Sequence, residues 1–131
     1  MAILLRPPLR ALVVVNRCFL RTHPGTPDIY RAGVRYDEEE NHYTDGIEHF
    51  DPIPDCIPRG WGDCDDLAPW LVAQCNERGE PARERLTWRR NRHGQRVFHV
   101  VVRRCVYDAR RRLWSWGPVE DPSAKLGMPV Y

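Results

Sequence analysis

Apolar positions in this 131-residue chain gather into short clusters separated by polar, proline-rich stretches. Leu9 to Val15 is short and rich in β-branched side chains, which predicts a buried strand. Residues 22 to 28 (T-H-P-G-T-P-D) form a turn cluster, and Ile29 to Tyr36 alternates apolar and polar positions as a short strand does. From Asp37 to Gly62 there is little periodicity, and Pro52, Pro54 and Pro58 keep the backbone extended or turn it. That segment is expected to be an ordered loop over one face. Long loops in compact domains are commonly functional, so substrate contacts are placed on it.

The clearest helical spacing is that of Leu67, Trp70, Leu71 and Cys75, with Gly79 as the stop, predicting a helix from Cys64 or Asp66 to Arg78. Asp63, Asp65 or Asp66 can cap its start. Pro69 sits comfortably only in a first turn, so the regular helix begins near Asp66 or the chain is kinked after Cys64. Beyond it, Arg83 to Arg90, Val97 to Tyr107 and Arg112 to Trp116 predict three strands, joined by turns at residues 91 to 94 and 108 to 111. One main helix followed by an antiparallel meander of three or more strands makes the fold class α+β. The length suits a single domain, residues 1 to 131, with no internal repeat.

Charge changes this picture by being unevenly placed. Residues 37 to 66 hold eleven acidic side chains against one arginine, Arg59, whereas residues 83 to 112 hold eleven arginines against Glu84 and Asp108. The two segments are expected to face one another or to form solvated surfaces. The net charge of +2 gives no overall drive toward nucleic acid. An Arg-rich hairpin with Trp88, Trp114 and Trp116 would be the place for such binding, but core or sheet packing is the preferred role for those rings. The five cysteines cannot all pair within one chain and include no C-x-x-C, which favours a reducing compartment. Arg6, Pro7, Pro8 and Arg10 interrupt the N-terminal apolar patches before a signal sequence forms, and no apolar run is long enough to span a membrane. A cytoplasmic protein is expected.

Three residues carry candidate chemistry. Cys64 stands at a helix start, where unsatisfied N–H groups favour a thiolate. His99 lies in the middle of the strand V-F-H-V-V-V, where a polar ring needs a partner, and Asp121, just past the last strand, can hold its second nitrogen. Asp63, Asp65 and Asp66 crowd the cysteine and raise its pKa unless they cap backbone N–H groups or pair with arginine. The Cys64 N–H is one candidate oxyanion donor and the Trp61 indole a second, although packing is the plainer role for Trp61.

These residues fall in an ordered set of motifs: G-D-C-D-D-L-A at 62 to 68, G-E-P-A-R at 79 to 83, F-H-V-V-V at 98 to 102 and W-S-W-G-P-V-E-D-P-S at 114 to 123. Together they resemble the transglutaminase-like cysteine peptidase superfamily, in its small phage or prophage forms. The match covers roughly residues 60 to 125, about half the chain. It implies a papain-like catalytic core there, with residues 1 to 59 adding strands and an acidic loop packed on it. It further implies Cys64 as nucleophile, His99 as general base and acid, Asp121 as the residue orienting His99, and Arg83 as support for the fold. The resulting expectation is a cysteine peptidase or amidase working through a thioester, with a peptide, protein or other amide as substrate and no cofactor or metal. A phage structural or assembly protein that keeps the fold, with a phage particle or host protein as partner, is the alternative. A zinc site from Cys56, Cys64, Cys75 and a histidine is disfavoured, because the cysteine spacings are poor for a structural site.

Overall fold

A computed structural model describes residues 2–45 and 47–131, with side chains from Leu5 onward. The described elements run α1 (Ala2–Thr22), β1 (Arg35–Tyr36), α2 (Ile53–Arg59), β2 (Trp61–Gly62), α3 (Cys64–Glu77), β3 (Ala82–Arg90), β4 (Arg96–Asp108), β5 (Leu113–Glu120) and α4 (Pro122–Lys125). Single 3-10 turns lie at Ile29–Arg31 and Glu39–Asn41. The protein is α+β.

The N-terminal segment departs most from expectation. Leu9 to Val15 is not a strand but part of the 21-residue helix α1, which continues through Pro7 and Pro8. Burial explains why. Leu9, Leu12, Val13 and Asn16 are at most 5% exposed and repeat at helical spacing, while Val14 and Val15 are 58% and 50% exposed. A 3.6-residue stripe packed against α3 overrides the weak strand preference of a valine run. Ile29 to Tyr36 likewise yields a 3-10 turn and only two strand residues. The region after Asp37 is more ordered than a loop: it contains α2, capped at its end by Gly60 at φ 80°, a left-handed conformation that costs glycine little. The parallel pair β1–β2 follows, with Arg35 opposite Trp61 and Tyr36 opposite Gly62.

The centre of the molecule is α3. Every residue from Asp65 to Cys75 is buried, so the helix is covered on all sides rather than amphipathic. It starts at Cys64 with Asp63 as N-cap, and Pro69 is held inside it rather than in its first turn. The cap is a reciprocal box in which the Asp63 carboxylate receives a backbone N–H of the first turn and Asp66 receives the Asp63 N–H. Gly62 fits closely just before it: a Cβ there would lie 3.1 Å from Leu67 Cδ2, so a larger residue would have to displace that side chain. Leu9, Val13, Ile29, Ile53, Trp70, Leu71, Val100 and Val102 form one hydrophobic cluster that joins α1, α2, α3 and the sheet.

The sheet has the order β3–β4–β5, antiparallel throughout. Thr87 lies opposite His99 and Val102 opposite Glu120, with a register shift between Arg103 and Cys105. Trp88, Trp114 and Trp116 are 52%, 56% and 45% exposed, so they are not core residues. They pack on the sheet surface, Trp88 under Arg96, Trp116 under Arg103 and Trp114 against Tyr107. The acidic and basic segments do meet, through Arg89–Glu38 at 3.7 Å and Arg92–Glu40 at 3.8 Å. All five cysteines are free. Among the described residues, no helix is long and apolar enough to cross a membrane.

Candidate active site

β4 and the turn after β5 bring His99 and Asp121 together. The alternation of β4 sends Val100 and Val102 into the core and leaves His99 3% exposed beside them. β5 pairs with β4 only as far as Glu120, and Asp121 then caps α4 by accepting the Ala124 N–H at 3.2 Å. Its other carboxylate oxygen, Oδ2, lies 2.8 Å from His99 Nε2. Burial pushes the Asp121 pKa up, but the His99 hydrogen bond and charge and the N–H groups of Ser123 and Ala124 outweigh it and hold it below its usual value. Asp121 is therefore a carboxylate at neutral pH, an acceptor only, and His99 Nε2 must donate to it. In the neutral ring Nδ1 then carries the lone pair. That nitrogen is buried without a hydrogen-bond partner among the described residues.

Cys64 is the first residue of α3, partly buried, and opens onto a cavity of about 470 Å³ whose walls include Tyr36, Glu39, Trp88, Arg89 and Phe98. Its thiol donates to Asp65 Oδ1 at 3.7 Å, and among the described residues no hydrogen bond joins it to His99. Burial pushes its pKa well up, and the charges of Asp65 and Asp63 push the same way. The backbone N–H of Val100, next to His99, and the Arg89 guanidinium pull in the other direction without overcoming them. The balance favours the neutral thiol over the thiolate.

The acidic neighbours divide by partner. Asp66 is fully buried but well supplied: it accepts the N–H groups of Asp51 and Asp63 and pairs with Arg59 at 2.9 Å, so that burial raises its pKa only to about 6. Asp65 is pushed up to about 10, by burial and then by Glu48, and Glu39 to about 7, by burial and then by Glu48. Asp63 moves strongly upward through burial and the charge of Asp66.

Of the residues expected at the site, His99 and Asp121 are in direct contact, and Cys64, Asp63, Asp65 and Asp66 gather at the head of α3. Trp61 is elsewhere. Its ring is stacked between His42 and the Arg59 guanidinium, each 3.7 Å from its centroid, and it is not a wall of the cavity holding Cys64. Tyr36, Glu39, Glu48 and Arg89 were not anticipated individually. Arg89 binds the Tyr36 hydroxyl at 2.8 Å and so ties β3 to β1 beside the cysteine. The sequence signal for the two glutamates was only the acidic run itself, within the segment on which substrate contacts were placed.

No protein-family model, curated protein or solved structure matches the chain.

Proposed function

We propose that the protein is a thiol-dependent acyl-transfer enzyme, a cysteine peptidase or amidase of papain-like or transglutaminase-like design. The observation that carries this reading is the His99–Asp121 pair with its buried, unpartnered Nδ1. A carboxylate that fixes the imidazole tautomer leaves one basic nitrogen free, which is what a general base for a thiol requires. Cys64, at the first position of α3 and close to the Val100 N–H, is among the described residues the one thiol that lines the cavity beside that strand position.

In this mechanism the Cys64 thiol leaves Asp65 for the His99 ring and passes its proton to Nδ1 as Sγ attacks the carbonyl carbon of an amide or ester. The carbonyl electron pair moves to oxygen, and the Cys64 backbone N–H at the head of α3 stabilises that charge. Collapse of the tetrahedral intermediate expels the amine or alcohol, which takes the proton from His99, and leaves a thioester on Cys64. Water, deprotonated by His99, then attacks the thioester and releases the acid and the free thiol. Because burial and the charges of Asp65 and Asp63 favour the neutral thiol, proton transfer to Nδ1 accompanies attack.

The test is acylation by p-nitrophenyl acetate, followed by mass mapping of the acetylated cysteine. Acetylation of Cys64 faster than of the exposed Cys18, and slowed at least about 100-fold by His99→Ala, is expected. Equal rates at Cys64 and Cys18 would overturn the reading. A second reading, a non-catalytic assembly protein retaining this architecture, is favoured by the Cys64–Asp65 contact and predicts that equality.

A further inference from the structure

Four carboxylates converge beside Cys64 from two parts of the chain. Glu39 and Glu48 come from the segment between β1 and α2, and Asp63 and Asp65 from the head of α3; one oxygen of each lies within 4.8 Å of the others. Six of the other seven acidic side chains of residues 37 to 66 face a basic partner, the exposed Asp55 being the exception: Asp37 faces His42, Glu38 Arg89, Glu40 Arg92, Asp45 His49, and Asp51 and Asp66 share Arg59. None of the four has such a partner among the described residues, although this set contains the buried pair Asp63 and Asp65, where an uncompensated charge is most costly. Asp65 is 1% exposed, its carboxylate belongs to the foursome, and its Oδ2 meets no hydrogen-bond donor among the described residues.

We infer that Glu39, Glu48, Asp63 and Asp65 form a binding site for a hard divalent cation of the size of calcium. All-oxygen, carboxylate-rich sets suit hard cations. The spacing selects among them. Oxygen ligands about 2.3–2.6 Å from calcium lie at most about 5 Å apart across the ion, which accommodates a set spread over 4.8 Å. Magnesium, at about 2.0–2.1 Å, requires a set no wider than about 4.2 Å and keeps several of its waters. Glu48 is exposed, so the site has an entry, and all four residues line the cavity onto which Cys64 opens. The cation would join the Asp37–Asp51 segment to α3, two parts of the chain otherwise tied here by Asp66 and the Asp51 N–H. A cation here departs from the expectation of a metal-free protein, and its binding does not depend on the proposed acyl transfer.

Isothermal titration of the EDTA-treated full-length protein with calcium, manganese and magnesium chlorides tests it. Saturable binding is expected, with calcium at least about 10-fold tighter than magnesium, and a higher melting temperature in calcium than in EDTA. Glu48→Gln, at an exposed position that cannot disturb folding much, should weaken calcium at least about 10-fold, and Asp65→Asn should abolish binding. Asp121→Asn, which touches none of the four carboxylates, should bind calcium as the unsubstituted chain does, which separates this inference from the acyl-transfer reading. Absence of saturable heat with all three metals would overturn the inference, as would affinity unchanged by Glu48→Gln and Asp65→Asn.

Discussion

His99 Nε2 and Asp121 Oδ2 lie 2.8 Å apart and tie the middle of β4 to the first residue past β5. Asp121→Asn separates the two things this carboxylate does. Its amide oxygen can still accept the Ala124 N–H, so the cap of α4 survives and the melting transition should shift by less than about 2 kcal/mol. The tautomer of His99 is no longer dictated, and acylation of Cys64 should fall by about 10^3- to 10^4-fold. Equal losses of acylation and of fold stability would make the pair merely structural.

The same pair sets a pH dependence. A carboxyl whose pKa is lower in the folded state stabilises the fold above the ordinary carboxylate range and loses that contribution as pH falls through the folded value. Asp121 is held low by His99 and by the α4 N–H groups despite its burial. Denaturant midpoints of the wild type and Asp121→Asn should therefore differ most near neutral pH and converge between about pH 5 and pH 2. A difference that widens on acidification would contradict the assignment of Asp121 as the ionised partner.

The head of α3 and the meander were legible because local signals agreed there: Asp63 before Cys64, the Leu67–Trp70–Leu71–Cys75 spacing, and β-prone runs separated by turn residues. α1 was not, because Leu9–Val15 satisfies a short-strand pattern and only the wider stripe from Leu5 through Asn16 to Leu20 shows a 3.6-residue period. α2 was hidden by three prolines. Pro52 precedes the helix and Pro54 falls in its first turn, where the missing N–H costs nothing, and Asn16 supplies an acceptor for the Ile53 N–H at 3.0 Å. At the site, His99 and Asp121 could be named from strand context, since a polar residue in a buried run needs a partner. That Glu39 and Glu48 fold onto Asp63 and Asp65 depends on tertiary contacts of the Asp37–Asp51 segment, which carries no periodic signal.

Arg59 holds that segment in place. Its guanidinium binds Asp51 at 2.8 Å, Asp66 at 2.9 Å and the Tyr43 hydroxyl at 3.1 Å, while Nε donates to the Trp61 carbonyl at 2.9 Å. Arg59→Ala leaves Asp66 buried without its cation and should cost about 3–5 kcal/mol in chemical denaturation. Arg59→Lys keeps the charge but not the fork, so it should recover less than half of that loss. Adding Asp66→Asn to Arg59→Ala should restore more stability than the lysine does. Additive losses in the double variant would show that the two side chains do not act as a pair.

Cys64 and Trp70 share α3 but should fail in different ways. Trp70 is fully buried in the cluster that joins α1, α3 and the sheet, and Trp70→Ala opens a cavity that neighbours held by α1 and β4 cannot fill, a loss of about 3–5 kcal/mol. Cys64 is smaller, only partly buried, and follows a cap made by Asp63 and Asp66 that its side chain does not enter. Cys64→Ala should thus leave the melting temperature nearly unchanged while abolishing acylation at this position and any turnover that depends on it. Calorimetry and acylation of the two variants together decide the matter: turnover that survives in a folded Cys64→Ala protein removes Cys64 as the nucleophile.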